Sequence, residues 1–307
     1  MSILIATLMV LASGPQEISA ADKKKTEQLR LAVEKAPEDA AANLAFGKHL
    51  CFAMGNWAEG LPVMAKGGDD GFAHMARKDL EPKENAMFSI EVADMWLSLE
   101  KANKQLGPRL RERALFHFSE AWPKINDPVW KDKTRERVLA VQRTGKPSPN
   151  LGPYPAKGWF PLNPKCNAGI DSEFVRSGSV AIKLIPPADP GPSGMAWFRT
   201  DDIPVAAAQK YKASCWVLTD GTEKGADQLC IAFLDAGDKV LSSTGPRAMI
   251  DRPIWSKLEV EGVVPEKAAK LRFGFNRGSR QGRVFVDDMS FILEGREILK
   301  NGSFEQK

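Results

Sequence analysis

At 307 residues the chain is long enough for two domains, each able to bury its own core. Its 43 basic and 39 acidic residues leave a formal charge of +4, and the Lys and Arg are spread along the chain instead of forming one basic stripe, so nucleic acid is not an implied partner. Four cysteines are too few to make a disulfide scaffold of a chain this size, so packed cores must hold it together.

The chain opens on an apolar run, Ile3 to Ala12, followed by Gly14-Pro15 and the small residues Ser19-Ala20-Ala21. An apolar stretch of about ten residues is half of what a bilayer span needs, and it suits a cleaved secretory signal over residues 1–21. No positively charged segment precedes the run, which leaves open a misassigned start or a packed N-terminal helix. No other apolar run is long enough to span a membrane. A secreted or periplasmic protein with no span after signal cleavage is expected.

From about Thr26 to Arg143 the apolar residues recur with helical period between regular breakers. Leu29, Leu31 and Val33 lead to a break at Pro37, and a helix over Asp39 to Ala53 stops at Gly55-Asn56. Trp57 to Ala65 is its partner, ended by Gly67-Gly68-Asp69-Asp70. Amphipathic segments follow at Phe72–Leu80, Asn85–Asn103, Pro108–Trp122 and Pro128–Gln142. Helices of this length with short turns form antiparallel hairpins, and hairpins in series form a short solenoid. Gly47 with Leu50 and then Trp57 with Leu61 loosely resembles tetratricopeptide spacing. The run from Asn43 to Leu80, with ADMWLSLEKA and RERALFHFSEAWPKI after it, resembles a helical region of planctomycete-type secreted and membrane-anchored proteins, one whose own role is undefined. Trp57, Trp96, Trp122 and Trp130 are expected to be packing knobs between hairpins. His49, His74 and His117 lie on three different helices, with no i, i+4 pair and no partner at a zinc-ligand spacing.

Residues 145–157 change the composition. Four prolines and two glycines between Gly145 and Pro155 can neither continue a helix nor alternate as a strand, so they mark a semi-rigid linker between a helical domain at 22–144 and a second domain at 158–307. Thr144-Gly145-Lys146 lacks the upstream glycine of a phosphate-binding loop.

After Lys157 the period becomes two. Strands are predicted at Trp159–Leu162, Ser179–Leu184, Met195–Thr200, Lys210–Leu218, Gln228–Asp235, Val240–Ser243, Ser256–Val263, Leu271–Asn276, Arg283–Ile292 and Glu297–Leu299. Short strands with turn signals and no helices predict an antiparallel β-sandwich or jelly roll, so the whole chain is multidomain α plus β. Cys215 and Cys230 fall on two successive strands. They form either a cross-strand bridge or two small buried hydrophobes.

The order of Ser177-Gly178-Ser179-Val180-Ala181-Ile182-Lys183-Leu184, Cys215-Trp216-Val217, Phe233-Leu234-Asp235, Trp255, Leu271-Arg272-Phe273-Gly274-Phe275 and Val286-Asp287-Asp288-Met289-Ser290 resembles the carbohydrate-binding modules of the family 4 and 9 type, with a galactose-binding-domain-like jelly roll. In that family an Asn-Gly-Ser-Phe-Glu-like segment is the first strand, whereas here Asn301 to Glu305 comes last. Such a segment either closes the sheet as a permuted strand or begins a second, truncated module. The resemblance implies a structural Ca²⁺ where Glu305 meets Asp287 or Asp288. The plainer alternative is that the Asp pair accepts turn N–H groups while Glu305 is solvated.

The resemblance also implies a glycan or polysaccharide ligand, which needs aromatic faces for sugar C–H surfaces and planar polar groups for hydroxyls. The candidates are Trp197, Trp216, Phe275, Asn276, Arg277 and Arg280. Trp216 has the opposite strand parity to Tyr211 and Cys215 and is expected on an outer face, whereas Trp255 is expected to pack. The polar stretch from Asn276 to Gln281 is a site rim or a solvated hairpin. Asp201-Asp202 and Asp287-Asp288 are adjacent pairs whose side chains diverge, so neither makes the facing carboxylates of a glycosidase, and no enzyme is expected. The sequence therefore predicts a secreted, non-catalytic glycan-binding module, with a helical domain that scaffolds or docks a protein partner. The alternative is a cell-surface structural or protein-interaction module without sugar binding.

Overall fold

The computed structural model describes residues 19–147, 156–161, 167–186, 196–222, 227–248, 251–278 and 281–305. The apolar N-terminal run and most of the proline-rich linker lie outside these residues, as do Cys166 and Arg280. The described residues form two compact units, 19–137 and 138–305. No helix among them is long and apolar enough to cross a membrane.

The first unit is helical: α1 Ala20–Lys35, α2 Ala40–Lys48, α3 Trp57–Met64, α4 Gly71–Leu80, α5 Ala86–Ser98 and α6 Gly107–Ala121, with a seventh helix, α7 Pro128–Gln142, crossing the division. Polar residues set the starts. Asp39, Asn56, Asp70 and Asn85 each accept a backbone N–H from the first turn that follows, which satisfies donors a helix leaves open. A π-helical turn, His49–Ala53, ends the α2 segment and turns His49, Leu50, Cys51 and Phe52 inward. Gly47 lets α3 come close, since a Cβ there would lie 2.4 Å from the Met64 nitrogen. The rings of Phe52, Phe72, Trp57 and Trp96 meet edge to face at centroid distances of 5.4 to 6.4 Å. Trp130 departs from its predicted packing role: it is 39% exposed, with the Lys133 ammonium over its ring.

The second unit is a two-layer antiparallel sandwich. Its described strands are β1 Trp159–Pro161, β2 Asn167–Asp171, β3 Ala181–Ile185, β4 Ala196–Thr200, β5 Ile203–Pro204, β6 Lys210–Asp220, β7 Gln228–Leu234, β8 Val240–Thr244, β9 Ser256–Val263, β10 Lys270–Arg277, β11 Arg283–Leu293 and β12 Arg296–Glu297. The first sheet runs β1-β4-β10-β7-β8 with β5 on β10, and the second runs β2-β3-β11-β6-β9 with β12 on β11. Alternate residues face inward and interlock: Phe198, Ile231, Phe233, Phe273 and Phe275 from the first sheet meet Ile182, Leu184, Val217, Val286 and Phe291 from the second. Two strands escape sequence reading. β2 has a glycine at its centre, and β5 is two residues long.

One expectation is corrected here. β6 and β7 belong to different sheets, and Cys215 points into the core while Cys230 lies on the far side of its strand, so both are free thiols and no cross-strand bridge forms. The chain on both sides of the linker's first residue bonds to the segment after β2: Thr144 N–H donates to the Glu173 carbonyl (3.0 Å), and Ser172 Oγ donates to the Lys146 carbonyl (3.0 Å).

Candidate ligand-binding face

A sandwich has two outer faces, and here they differ. On the second sheet the outward residues Lys183, Trp216, Leu218, Phe285 and Asp287 are buried, whereas Lys212, Glu259 and Glu261 toward the β9 edge are exposed. The buried ones are covered by the segment after β2. Phe174 packs edge to face on Phe285 (5.0 Å), and the Arg176 guanidinium lies 4.4 Å from the Trp216 ring centre. Lys183 reaches Asp171 and Glu173 (both 3.3 Å), and Arg283 bridges Glu173 (2.9 Å) and Asp220 (2.6 Å). This face carries an internal charged and aromatic layer.

The carboxylates of the β11–C-terminal stretch hold that layer down. The ladder shifts register between Asp287 and Ser290, and Asp288 adopts φ 47°, a β-bulge that re-aims both side chains. Asp287 accepts the backbone N–H groups of Arg176 (2.9 Å), Ser177 (3.2 Å) and Asp288 (2.8 Å). Burial, together with the neighbouring Asp288 charge, raises its pKa to about 7. Asp288 accepts from Ser177 Oγ (2.5 Å). Glu305 accepts from Ser179 N–H (2.8 Å), Val180 N–H (3.1 Å) and Ser179 Oγ (2.6 Å), and these donors hold its carboxyl below the ordinary range. The tail itself is docked. Phe304 is fully buried against Trp159 and Phe198, the Trp159 indole donates to the Asn301 carbonyl (2.9 Å), and Met289 N–H donates to the Gly302 carbonyl (2.9 Å). The described residues of the tail, 301–305, form no strand.

These residues do not fit a calcium ion as they are placed. A Ca²⁺ shell needs six to eight oxygens turned to one point, whereas the oxygens of Asp287, Asp288 and Glu305 are turned to N–H and O–H donors of residues 176–180 and to the Asp288 N–H. Among the described residues, no three His, Cys, Asp or Glu side chains gather as a metal-holding group.

The predicted sugar-binding residues separate accordingly. Phe275 is corrected to core: it is fully buried between the sheets. Arg277 is also corrected, being buried with its guanidinium donating to the Leu184, Gln281 and Gly282 carbonyls (2.7 to 2.9 Å). Trp216 does lie on an outer face, but Arg176 covers it, so it is not a sugar platform. Trp255 is buried outside the inter-sheet core, its backbone N–H donating to Gln142 Oε1 (3.2 Å). Asn276 is partly exposed on the outer side of β10, in register with Trp197 of β4, whose side chain lies outside the described set.

The first sheet's outer face is built differently. Its central positions are small: Gly274 on β10, then Cys230 and Ala232 on β7, joined across by Ser243 of β8. Gly274 is required there, because a Cβ would lie 2.1 Å from the Phe198 carbonyl oxygen. Longer groups border this floor. Phe160 of β1, 41% exposed, pairs with Arg199 of β4, which pairs with Gly274. Arg272 stands two residues along from Gly274, its Nε on Asp202 (2.7 Å), and Gln228 lies opposite Asn276. Gly274, Cys230 and Ala232 are themselves buried, and the longer groups around them leave planar polar groups and one exposed ring on this face. Strand parity was the missed signal: with Phe198, Phe273 and Phe275 inward, Arg199, Arg272 and Gly274 must face outward. A separate cavity of about 430 Å³ opens beside the tail, lined by Trp159, Thr200, Asp201, Ile203, Ile298 and Leu299 among others.

A second cluster of titratable groups lies in the helical unit. The fully buried Asp79 carboxylate accepts from Trp96 Nε1 (2.8 Å), Arg113 Nε (2.8 Å) and Nη2 (2.7 Å), and His117 Nε2 (2.8 Å), while Lys83 stands 3.5 Å away. Burial opposes the charge on Asp79, but the hydrogen bonds and charges of His117 and Arg113 prevail and hold its pKa far below normal. His117 is pushed down by burial, and its Nδ1 is enclosed without a partner, so the ring is neutral. Burial raises the Cys51 thiol to about 12, which makes it inert.

No protein-family model matches the chain, and no curated protein matches it either. Among solved structures, the enzymatically active domain of bacteriophage CBA120 tailspike protein 4 is similar over 50% of this chain and 22% of its own, at 16% identity and a TM-score of 0.38. The CBM22-1-GH10 modules of Clostridium thermocellum Xyn10B, complexed with xylohexaose, are similar over 46% of this chain and 27% of their own, at 13% identity and 0.36. The CBM22-1 xylan-binding domain from Paenibacillus barcinonensis Xyn10C is similar over 47% of this chain and 90% of its own, at 11% identity and 0.36. The chain thus spans about a quarter of the length of the first two.

Proposed function

We propose that the sandwich binds a glycan on the outer face of its first sheet, and that the protein is a secreted or periplasmic, non-catalytic binding protein whose tetratricopeptide-like helical unit scaffolds or docks a protein partner. One observation carries the binding claim. The part of the second sheet's outer face around Trp216 and Phe285 is filled by the protein's own chain, whereas the first sheet sets the planar groups of Arg199, Arg272, Asn276 and Gln228 and the exposed Phe160 ring around small residues. A pyranose ring offers C–H surface to an aromatic face and hydroxyls to planar donors and acceptors, which is the chemistry this border supplies. The face and composition of the site differ from the Trp216-centred site that strand parity suggested, while the ligand class implied by the family resemblance is the same.

The test is retention of the full chain on a panel of insoluble polysaccharides and in glycan-containing native gels. Phe160→Ala removes an exposed ring and is expected to weaken binding about 5- to 10-fold without unfolding the domain. Ala232→Leu is expected to crowd these small residues and abolish retention. No binding to any glycan, or unchanged binding by both variants, overturns the proposal.

A further inference from the structure

Resting on that glycan-binding reading, we propose that the outer face of the first sheet selects an acidic polysaccharide, with Arg199 as the cation that meets a uronate carboxylate. Three cations and two carboxylates meet along this side of the sheet: Arg199, Lys270 and Arg272 with Asp202 and Asp238. Arg272 takes Asp202 in a two-point contact (2.7 and 3.3 Å), and Lys270 lies 3.4 Å from Asp202 while also pairing with Asp238. That leaves Arg199 with the poorest share. Its Nη1 donates to the Thr200 carbonyl (2.8 Å) and stands 3.5 Å from an Asp202 oxygen already held by Arg272. Its Nε–H is buried with no acceptor among the described residues. Asp201 follows two residues on and acts on Arg199 only through space, since it is exposed.

Position completes the case. Arg199 is in register with the exposed Phe160 on one side and with Gly274 on the other, so its strand position neighbours an aromatic ring while its guanidinium reaches along the strand to Thr200 and Asp202. Burial and the nearby Arg272 charge both act against the charged form of Arg199, a penalty that an incoming anion would relieve. A guanidinium presents donors in a planar fork that matches a carboxylate at two points. A sugar whose ring lies on Phe160 with its carboxylate toward Arg199 satisfies both groups at once.

The experiment compares polygalacturonate with its fully methyl-esterified form and with neutral xylan and glucan, using the full chain. Esterification changes the charge while keeping the sugar. Binding at least 10-fold tighter to the free acid, with the difference lost in Arg199→Gln and partly kept in Arg199→Lys, supports the proposal. Equal binding to acid and ester overturns it while leaving glycan binding intact, and no binding to any glycan overturns both. If Lys124→Gln, an exposed change in the helical unit, weakens acid binding as much as Arg199→Gln, the attraction is general and the proposal fails.

Discussion

Replacing Asp79 with Asn tests how the helical unit is held together. The two side chains have the same shape, so no cavity forms and the loss is electrostatic. Asn keeps one acceptor oxygen for Trp96 and His117 but turns an amide toward Arg113, whose side chain is only 11% exposed and has Asp79 as its ion-pair partner. Removing one partner of a buried pair leaves the other charged and uncompensated, which costs about 3 to 5 kcal/mol. For a unit of this size, that lowers its melting temperature by on the order of 10 to 20 °C. Calorimetry of the full chain reads this directly, since the loss is confined to one of two transitions and the sandwich transition stays in place. Double replacement, Asp79→Asn with Arg113→Met, is expected to recover much of the loss by removing the stranded charge. A single-variant loss under about 1 kcal/mol would refute the account of Asp79 as the counter-ion that makes this core possible.

The two units respond to acid with opposite sign. Asp287 has a folded pKa of about 7 against an unfolded value near 3.8, so the folded state binds more protons between these limits and stability falls as pH rises through them. Moving from pH 8 to pH 5 should therefore stabilise the sandwich by about 2 to 3 kcal/mol, read as a higher second transition; a fall over that interval contradicts the buried-acid assignment. His117 has a depressed folded pKa, so the unfolded state binds more protons below about pH 6.5 and the helical transition should drop as pH falls through that value, a drop that His117→Gln should reduce. Phe304→Ala should cost the sandwich about 3 to 5 kcal/mol, because it empties a fully buried site between Trp159 and Phe198; denaturant titration measures it, and a loss below 1 kcal/mol would mean the tail is not docked. Calcium at millimolar concentration should leave both transitions within about 1 °C of their positions in chelator, since the clasp carboxylates are satisfied by N–H and O–H donors; a rise of several degrees that Glu305→Gln removes would restore the ion.

Much of the fold is legible from periodicity. The change from helical period to alternation at the proline-rich segment, the capping residues Asp39, Asn56, Asp70 and Asn85, and the inward phenylalanines of β4, β7 and β10 are local signals, and local signals survive in a one-dimensional reading. The site is less legible, for two physical reasons. Parity tells which residues leave the core, but not which outer face the chain later covers, so Trp216 reads as available until Arg176 is seen lying over it. Strand ends also break parity's meaning: Arg277 keeps the inward parity of Phe275, and its charge is buried only because the Leu184, Gln281 and Gly282 carbonyls meet it there. The carboxylates near the C-terminus accept from N–H and O–H groups of the loop after β2. Their partners lie more than a hundred residues away, and no spacing rule reaches that far.

That distance has a consequence for how the polypeptide is made. The Trp159 indole waits for the carbonyl of a residue 142 positions later, and Ser179 waits for a carboxylate 126 positions later. Helices α1 to α6 are held by neighbours a few dozen residues apart and can form while the ribosome is still decoding the strands. The sandwich has no such option. Until residues 301–305 leave the exit tunnel, the ring of Phe304 is missing from the core and the Ser179–Val180 amides lack their acceptor, so the sandwich cannot close when its strands alone have been made.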